Sequence, residues 1–334
     1  MRRLQRSDSK MGAVGRWGLG GVMALIGVAL LAPLLAPFPP EEQYDPVAGR
    51  YLPPLSSRTA IQLRSGAWLL AESVGPADGG LAIERQGQTE IIPAADLANP
   101  DLETASVQKF FLLGTDKYGR DLWSRIVFGA RISLTIGLLA TAIALVLGTV
   151  VGGLAAMAGG WIDILLMRLV DALLMFPRLF LILALAAIIG PRLWVVILVL
   201  GLTGWMSVSR LIRAEILSLR DVDYVLAARS LGLHPVLVFT RHMLPAALSP
   251  VLVDMSLRVG AVILIEAALS FLGQGVQPPT PSWGNVIADG ADSLGSAWWV
   301  ATFPGLAICL TVMAFNLLAD GLRDRLDPHR FETR

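Results

Sequence analysis

Long stretches of this chain carry no charged residue at all, among them 132–162, 193–209 and 293–319. A helix rises about 1.5 Å per residue, so about 20 apolar residues cross a hydrocarbon core about 30 Å thick. Inside lipid the backbone polar groups have only each other as partners, which leaves helices and closed barrels as spanning forms. Runs of this length predict helices. Composition agrees, with 54% hydrophobic and only 16% charged residues, against about a quarter charged in a soluble domain. The expected fold is an all-α polytopic membrane protein.

Six transmembrane helices fit the pattern, at 17–37, 132–158, 163–190, 193–213, 250–272 and 299–319. The basic start MRRLQRSDSK followed by an apolar stretch has the outline of a secretory signal. That stretch is longer than the usual core of about 7–15 residues and no A-x-A site follows, so it reads as a retained span. Residues 1–16 and 321–334 are then tails around a core at 132–320. Residues 38–112 differ sharply, being rich in Pro, Gly and charge. Their weakly alternating runs GAWLLAES and GLAIERQGQTEII, parted by GPADGG, predict a small β-hairpin or two, and so a small β-containing insert between helices 1 and 2. Residues 113–131 mix Asp116, Lys117, Arg120, Asp121, Arg125 and Arg131 with Tyr118, Trp123 and Phe128. They predict a short amphipathic helix lying on the membrane surface.

Basic residues set the orientation. Arg2, Arg3, Arg6, Lys10 and Arg16 precede the first span; Arg210, Arg213, Arg220, Arg229 and Arg241 follow the fourth; Arg323, Arg325, Arg330 and Arg334 end the chain. The loop 273–298 has neither Lys nor Arg. Lys and Arg favour the cytoplasmic side, so both termini are expected in the cytoplasm and the 38–112 insert outside, with Trp298 and Trp299 at the outer interface. The net charge of +1 gives no reason to expect a nucleic-acid partner; the lipid bilayer is the expected surround. Cys309, the only cysteine, forms no internal disulfide and cannot anchor a multi-cysteine metal site.

Charges inside spans need partners or a wet cavity. Arg168 and Asp171 lie three apart, and Asp254 and Arg258 four apart, so each pair shares a helix face and either neutralises itself or takes part in gating. Arg178 follows Phe176-Pro177, where a kink interrupts helix hydrogen bonds. Glu266 has no basic neighbour in sequence; a partner on another span or a pore-lining position would each account for it. In the second span Gly148, Gly152, Gly153, Ala155, Ala156 and Gly159 permit close backbone approach, either for tight packing or for a moving interface.

Between the fourth and fifth spans stands LAARSLGLHPVLVFTRHMLPAALSP, residues 226–250. Gly232 can end one short helix in the left-handed conformation, and Pro235 suits the first turn of another. Pro245 and Pro250 are expected to break the chain before the fifth span. The result is a helix-glycine-helix element with alanines exposed as a flat surface, suited to a partner's groove. A solvated helical hairpin would account for the composition equally well.

The residues themselves resemble a known pattern. Ala227-Ala228, three residues, Gly232 and then Leu244-Pro245 resemble the EAA loop of binding-protein-dependent ABC permeases. The stretches LGTDKYGRDLWSRIVFGARISLTIG (113–137), MRLVDALLMFP (167–177), IEAALSFLGQGVQPPTPSWG (265–284) and FPGLAICLTVMAFNLLADGLRDRLDP resemble the dipeptide and oligopeptide permease family, of the DppC/OppC subunit type. The likeness covers 17–37 weakly and 113–328 strongly. Leu226 stands where the family usually has Glu, and His242 takes a hydrophobic position before Leu-Pro.

The resemblance implies an inner-membrane permease subunit of an ABC importer for di- or oligopeptides, with nickel complexes, glutathione and peptide antibiotics as alternative cargo. It implies as partners a second permease subunit, two ATPase subunits carrying ATP and Mg, and an extracytoplasmic solute-binding protein. Segment 221–245 would be the coupling loop, through Ala227, Ala228, Arg229, Gly232, Arg241, His242, Leu244 and Pro245. Arg229 and Arg241 would meet acidic groups of the ATPase, unless they are simply solvated. Asp171, Arg178 and Glu266 would line the translocation path or a subunit interface. Independently of family, Lys10, Lys109 and Lys117 follow Ser, Gln and Asp, so no Gly-Lys-Ser/Thr phosphate loop is present and nucleotide chemistry is expected on another chain. No catalytic or metal-ligand set is expected within the membrane. A membrane-embedded enzyme is therefore the weaker reading, as is a secondary carrier, for which no matched pair of broken-helix halves is evident.

Overall fold

The computed structural model describes residues 12–85, 87–99, 106–190 and 192–326. The expected tail residues Arg2, Arg3, Arg6, Lys10, His329, Arg330 and Arg334 lie outside them. Contacts divide the chain into two units, one of Met1–Ile26, Leu134–Leu269 and Cys309–Arg334, the other of Gly27–Ser133 and Ser270–Ile308.

In chain order the helices are α1 (Ala13–Leu30), α2 (Ala32–Leu35), α3 (Leu122–Ala158), α4 (Gly160–Leu174), α5 (Arg178–Ile189), α6 (Leu193–Ser218), α7 (Asp223–Ser230), α8 (Pro235–Val238), α9 (Leu244–Phe271), α10 (Trp283–Gly290) and α11 (Trp299–Leu326). Among the described residues, α1, α3, α6, the continuous run Pro235–Phe271 and α11 are each long and apolar enough to cross a membrane. The expected third span is not one rod. It is α4 plus α5, bent by 83° at Met175-Phe176-Pro177, and counting that pair as one gives six. Pro177 has no N–H to donate and no side chain caps α5, so the break falls where the ladder is already interrupted. Trp161, Met175, Phe180 and Ile188 lie on open helix faces, an exposure suited to lipid or a partner chain.

The helical unit is held by close backbone approach. Gly148 and Gly152 of α3 lie against Val208 and Ser209 of α6, so closely that a Cβ at Gly152 would collide with the Ser209 carbonyl. Small residues here convert a sequence pattern into van der Waals contact between backbones. Val208, Ile212 and Ile216 of α6 then form one core with Val225, Ala228, Val238, Met243, Ala247 and Val251.

The other unit contains the insert. It is richer in strand than one or two hairpins: β1 (Ser56–Gln62), β2 (Trp68–Ala71), β3 (Ser73–Ala77), β4 (Gly80–Arg85), β5 (Gln88–Pro93) and β6 (Ser106–Phe111). They form two three-stranded antiparallel sheets, ordered β2-β1-β6 and β3-β4-β5. The expected GPADGG turn joins β3 to β4 through Asp78 and Gly79, the latter at φ +84°. One core gathers Ile61, Ala71, Leu81, Ile83, Ile92 and Leu97, another Tyr44, Leu52, Ala60, Leu70 and Phe111. The Lys109 ammonium lies over Phe38, Tyr44 and Trp68, 4.8, 5.1 and 4.8 Å from their ring centres, so a long cationic side chain covers an aromatic cluster.

Residues 113–131 are not a separate surface helix. Residues 113–121 turn back on themselves and α3 begins at Leu122. The amphipathic pattern has another cause: Asp116, Arg120, Asp121 and Arg125 are buried, and Asp116, Arg120 and Arg125 are ion-paired. Arg120 donates to Asp116 at 2.6 Å and to Asp289 at 2.7 Å, and Lys117 reaches Asp289 at 3.0 Å. Charges that look solvated in a one-dimensional reading form a buried network instead.

Candidate functional site

The segment 221–245 is built as the sequence suggests up to Pro235, and differently after it. Helix α7 has Asp223 in its first turn and Arg229 in its last, each favourable to the helix dipole. It closes on Gly232 at φ +78°. The Leu233 N–H donates to the Ala228 carbonyl at 3.3 Å and the Gly232 N–H to Arg229 at 2.9 Å, the 6→1 and 5→2 pair of a Schellman cap. His234 then caps α8, its Nδ1 accepting from the Val236 N–H at 3.3 Å, with Pro235 in the first turn.

The expected stop at Pro245 does not occur. Helix continues from Pro235 to Phe271, passing through a π-helical turn at Phe239–Met243 in which the Leu244 N–H bonds the Phe239 carbonyl. A proline ring clashes with the carbonyl four residues back, which for Pro245 is that of Arg241. The wider turn makes room for it. Pro250 also lies inside α9, in regular α-helix. The short helical element is thus joined rigidly to a membrane span.

Its two faces differ. Ala228, Val238 and Met243 are buried in the core against α6, while Ala227, Arg229, Gly232, Arg241 and Pro245 are exposed and His242 and Leu244 half-buried. The expected flat alanine surface is therefore half present: Ala227 is open, and Ala228 anchors the inner face. The open face is mostly apolar, with Leu226 43%, Leu231 81% and Val236 60% exposed. Sequence reading weighted the arginines and overlooked Leu231 and Val236, although apolar residues flanking a cap glycine were visible.

Among the membrane charges, Asp171 pairs with Arg210 rather than with Arg168. Asp163 takes a two-pronged contact from Arg213, Nε to Oδ1 and Nη2 to Oδ2 at 2.6 Å each. Both arginines come from α6, so the bonds run between helices. The three-residue spacing on one helix could not reveal them. Arg258 does pair with Asp254, at 3.0 Å. Glu266 is fully buried and has a partner. Arg178 opens α5 beside Gly204.

In the other unit, Asp121 caps α3 by accepting from the Ser124 N–H at 2.8 Å. Burial pushes its carboxyl up to about 6; the Ser124 bonds oppose the rise and nearby Asp116 adds to it. Among the described residues, no group of three or more His, Cys, Asp or Glu is placed to hold a metal.

Comparison with known proteins gives concordant matches. The family described as binding-protein-dependent transport system inner membrane component matches residues 144–332, and the N-terminal TM domain of oligopeptide transport permease C matches 14–54. A putative peptide transport system permease protein of Brucella suis is 45% identical over 65% of this chain and 73% of its own length. A dipeptide transport system permease protein of Alkalihalophilus pseudofirmus is 41% identical over 68% and 74%. A glutathione transport system permease protein of Escherichia coli is 43% identical over 67% and 73%.

Proposed function

This chain belongs to the binding-protein-dependent transport system inner membrane component family, and on that premise we propose that it is the peptide-moving permease subunit of an ATP-driven importer. The cargo is a di- or oligopeptide, a reading supported by relatives named for peptide and dipeptide transport. Glutathione, itself a peptide, is the second reading, favoured by a relative named for it. The chain works with a second permease subunit, two ATPase subunits that bind ATP and Mg, and a solute-binding protein on the outer face. It hydrolyses no nucleotide itself. It lies in the inner membrane with both termini and segment 221–245 in the cytoplasm and the 38–112 insert outside, as its arginine distribution favours.

One observation carries the mechanism: α8, the second half of the exposed element Asp223–Val238, continues without a break into α9 while the inner face of the element is packed against α6. A push on Leu226, Leu231, Val236, Arg229 or Arg241 from an ATPase therefore displaces two spans together. The Schellman cap at Gly232 keeps α7 and α8 at a fixed angle, and the π turn lets Pro245 sit in the lever without breaking it. Leu226 and Leu231 make this contact apolar where the family pattern has an acid, so burial rather than an ion pair holds it. Asp171, Arg178 and Glu266 belong to the translocation path or its lining subunit interface.

Affinity purification in mild detergent tests the assembly. A second permease, ATPase and binding protein are expected to co-purify, and mass spectrometry of the ligand on the binding protein is expected to find peptide. Leu231→Asp is expected to release the ATPase and retain the second permease. A wild-type complex without ATPase, together with transport unaffected by substitution of Gly232, overturns the coupling role.

A further inference from the structure

Two arginines meet beside the break in the third span. Arg178 begins α5, and its Nη2 lies 3.6 Å from where a Cβ on Gly204 of α6 would stand. Arg258 of α9 reaches the same turn of α6, donating to the Gly204 carbonyl at 3.4 Å and to Ser207 Oγ at 3.2 Å. Both guanidiniums thus stand at Gly204. Asp254 answers one of them, at 3.0 Å from Arg258.

The other is not answered. Among the described residues, Arg178 Nε and Nη2 are buried without a hydrogen-bond partner, and so is Arg258 Nε. A buried donor left unmade is costly, and a buried guanidinium more so. The space beside Arg178 is a cavity of about 260 Å³ bounded by Met175, Pro177, Thr203, Met206 and Ser207. It is smaller than the usual 300–1,000 Å³ of a whole small-molecule site, so it suits one end of a solute. Charges within spanning segments face cavities and mark pathways, and a guanidinium fork matches a carboxylate with two parallel bonds.

We propose that Arg178, with Arg258 behind it, forms a carboxylate subsite in the membrane that receives the C-terminal carboxylate of the transported peptide. This rests on the peptide reading above and adds a contact to it. One negative charge balances the surplus of two arginines over one aspartate, and the carboxylate oxygens supply the acceptors that Arg178 lacks. The cavity lies at the bend, with Met175, Phe176 and Pro177 on one side and Thr203, Met206 and Ser207 of α6 on the other. A Cβ on Gly204 would meet Ala144 Cβ at 3.1 Å and stand in ordinary contact with Arg178 Nη2.

The test uses the complete transporter with its binding protein in proteoliposomes, and compares ATP-driven uptake of dialanine with that of its C-terminal amide. The ratio of the two is read, so that the binding protein's own preference is common to every variant. Arg178→Gln is expected to reduce dialanine uptake at least tenfold more than amide uptake, and Arg178→Lys, which keeps the charge and loses the fork, to give a ratio between those of Arg178→Gln and wild type. An unchanged ratio in Arg178→Gln, or an equal fall for both peptides, overturns the subsite and leaves peptide transport standing. Loss of the second permease from the purified Arg178→Gln complex also overturns it, because the carboxylate then belongs to that subunit. A wild-type transporter that takes up neither probe overturns the peptide reading and the subsite with it.

Discussion

Arg213 holds Asp163 through two parallel hydrogen bonds, Nε to Oδ1 and Nη2 to Oδ2, each 2.6 Å long. The contact fastens α4 to α6 on the same helix that carries Arg210 to Asp171. Lysine presents a single ammonium and cannot reproduce the fork. Arg213→Lys is expected to lower stability by about 1 kcal/mol, less than a fully buried pair would lose, because a third of the Arg213 side chain is open to solvent. Asp163→Asn should cost a similar amount, and the double variant less than the sum. Thermal midpoints of the four proteins in detergent measure it; strict additivity would show that the two side chains do not interact.

Gly152 is the tightest point between α3 and α6. The Cβ of Gly152→Ala meets the Ser209 carbonyl, and backbone cannot rotate away as a side chain can. A loss of roughly 1–3 kcal/mol is expected from overpacking. Gly20→Ala, on α1 with nothing near the new methyl, is the control and should be neutral or slightly stabilising. Equal midpoints for the two variants would contradict the close approach.

Gly232 differs from Gly152 because the space around it is open. Only its φ of +78° is demanding. Gly232→Ala is expected to lose about 1–2 kcal/mol, the cost of a left-handed residue with a Cβ, while Asn tolerates that conformation better. Uptake assays should rank wild type above Gly232→Asn and Gly232→Asn above Gly232→Ala. The reverse order for the two variants would mean that size rather than backbone angle matters there.

Asp121 makes stability depend on pH. Its native pKa is raised from 3.8 to about 6, so the native state holds a proton that the unfolded chain has released. Its contribution is complete below about 3.8 and is lost as pH rises through about 6. Two units correspond to roughly 3 kcal/mol at most. Asp121→Asn keeps an acceptor for the Ser124 N–H and removes the titration. Between pH 4.5 and 7, the wild-type midpoint should fall relative to that of the variant. Parallel curves would refute the raised carboxyl.

Much of this architecture was legible in order of residues. Charge-free runs located the spans because lipid leaves a helix no alternative, and Gly232 and Pro235 located the end of α7 and the start of α8 because few residues tolerate those dihedrals. The β-hairpin at GPADGG was legible for the same reason. Pro245 misled, since a proline breaks a helix only where nothing widens the turn before it, and the π turn at Phe239–Met243 has no one-residue signature.

The charged residues divide the two kinds of information most clearly. Spacing along one helix pointed Asp171 to Arg168, and it found the Arg258–Asp254 pair because both ends lie on α9. Arg210 and Arg213 reach Asp171 and Asp163 from α6, and Arg120 reaches Asp289 from 169 residues away. Sequence alone determined that this chain is a bundle of apolar helices with a strand-bearing insert, because periodicity and hydropathy are local properties. Which charges neutralise one another, which alanine faces inward, and that Arg178 is left beside a cavity were decided by tertiary structure. Ion pairing and burial depend on distance in space, and the packing of α4, α5, α6 and α9 sets that distance.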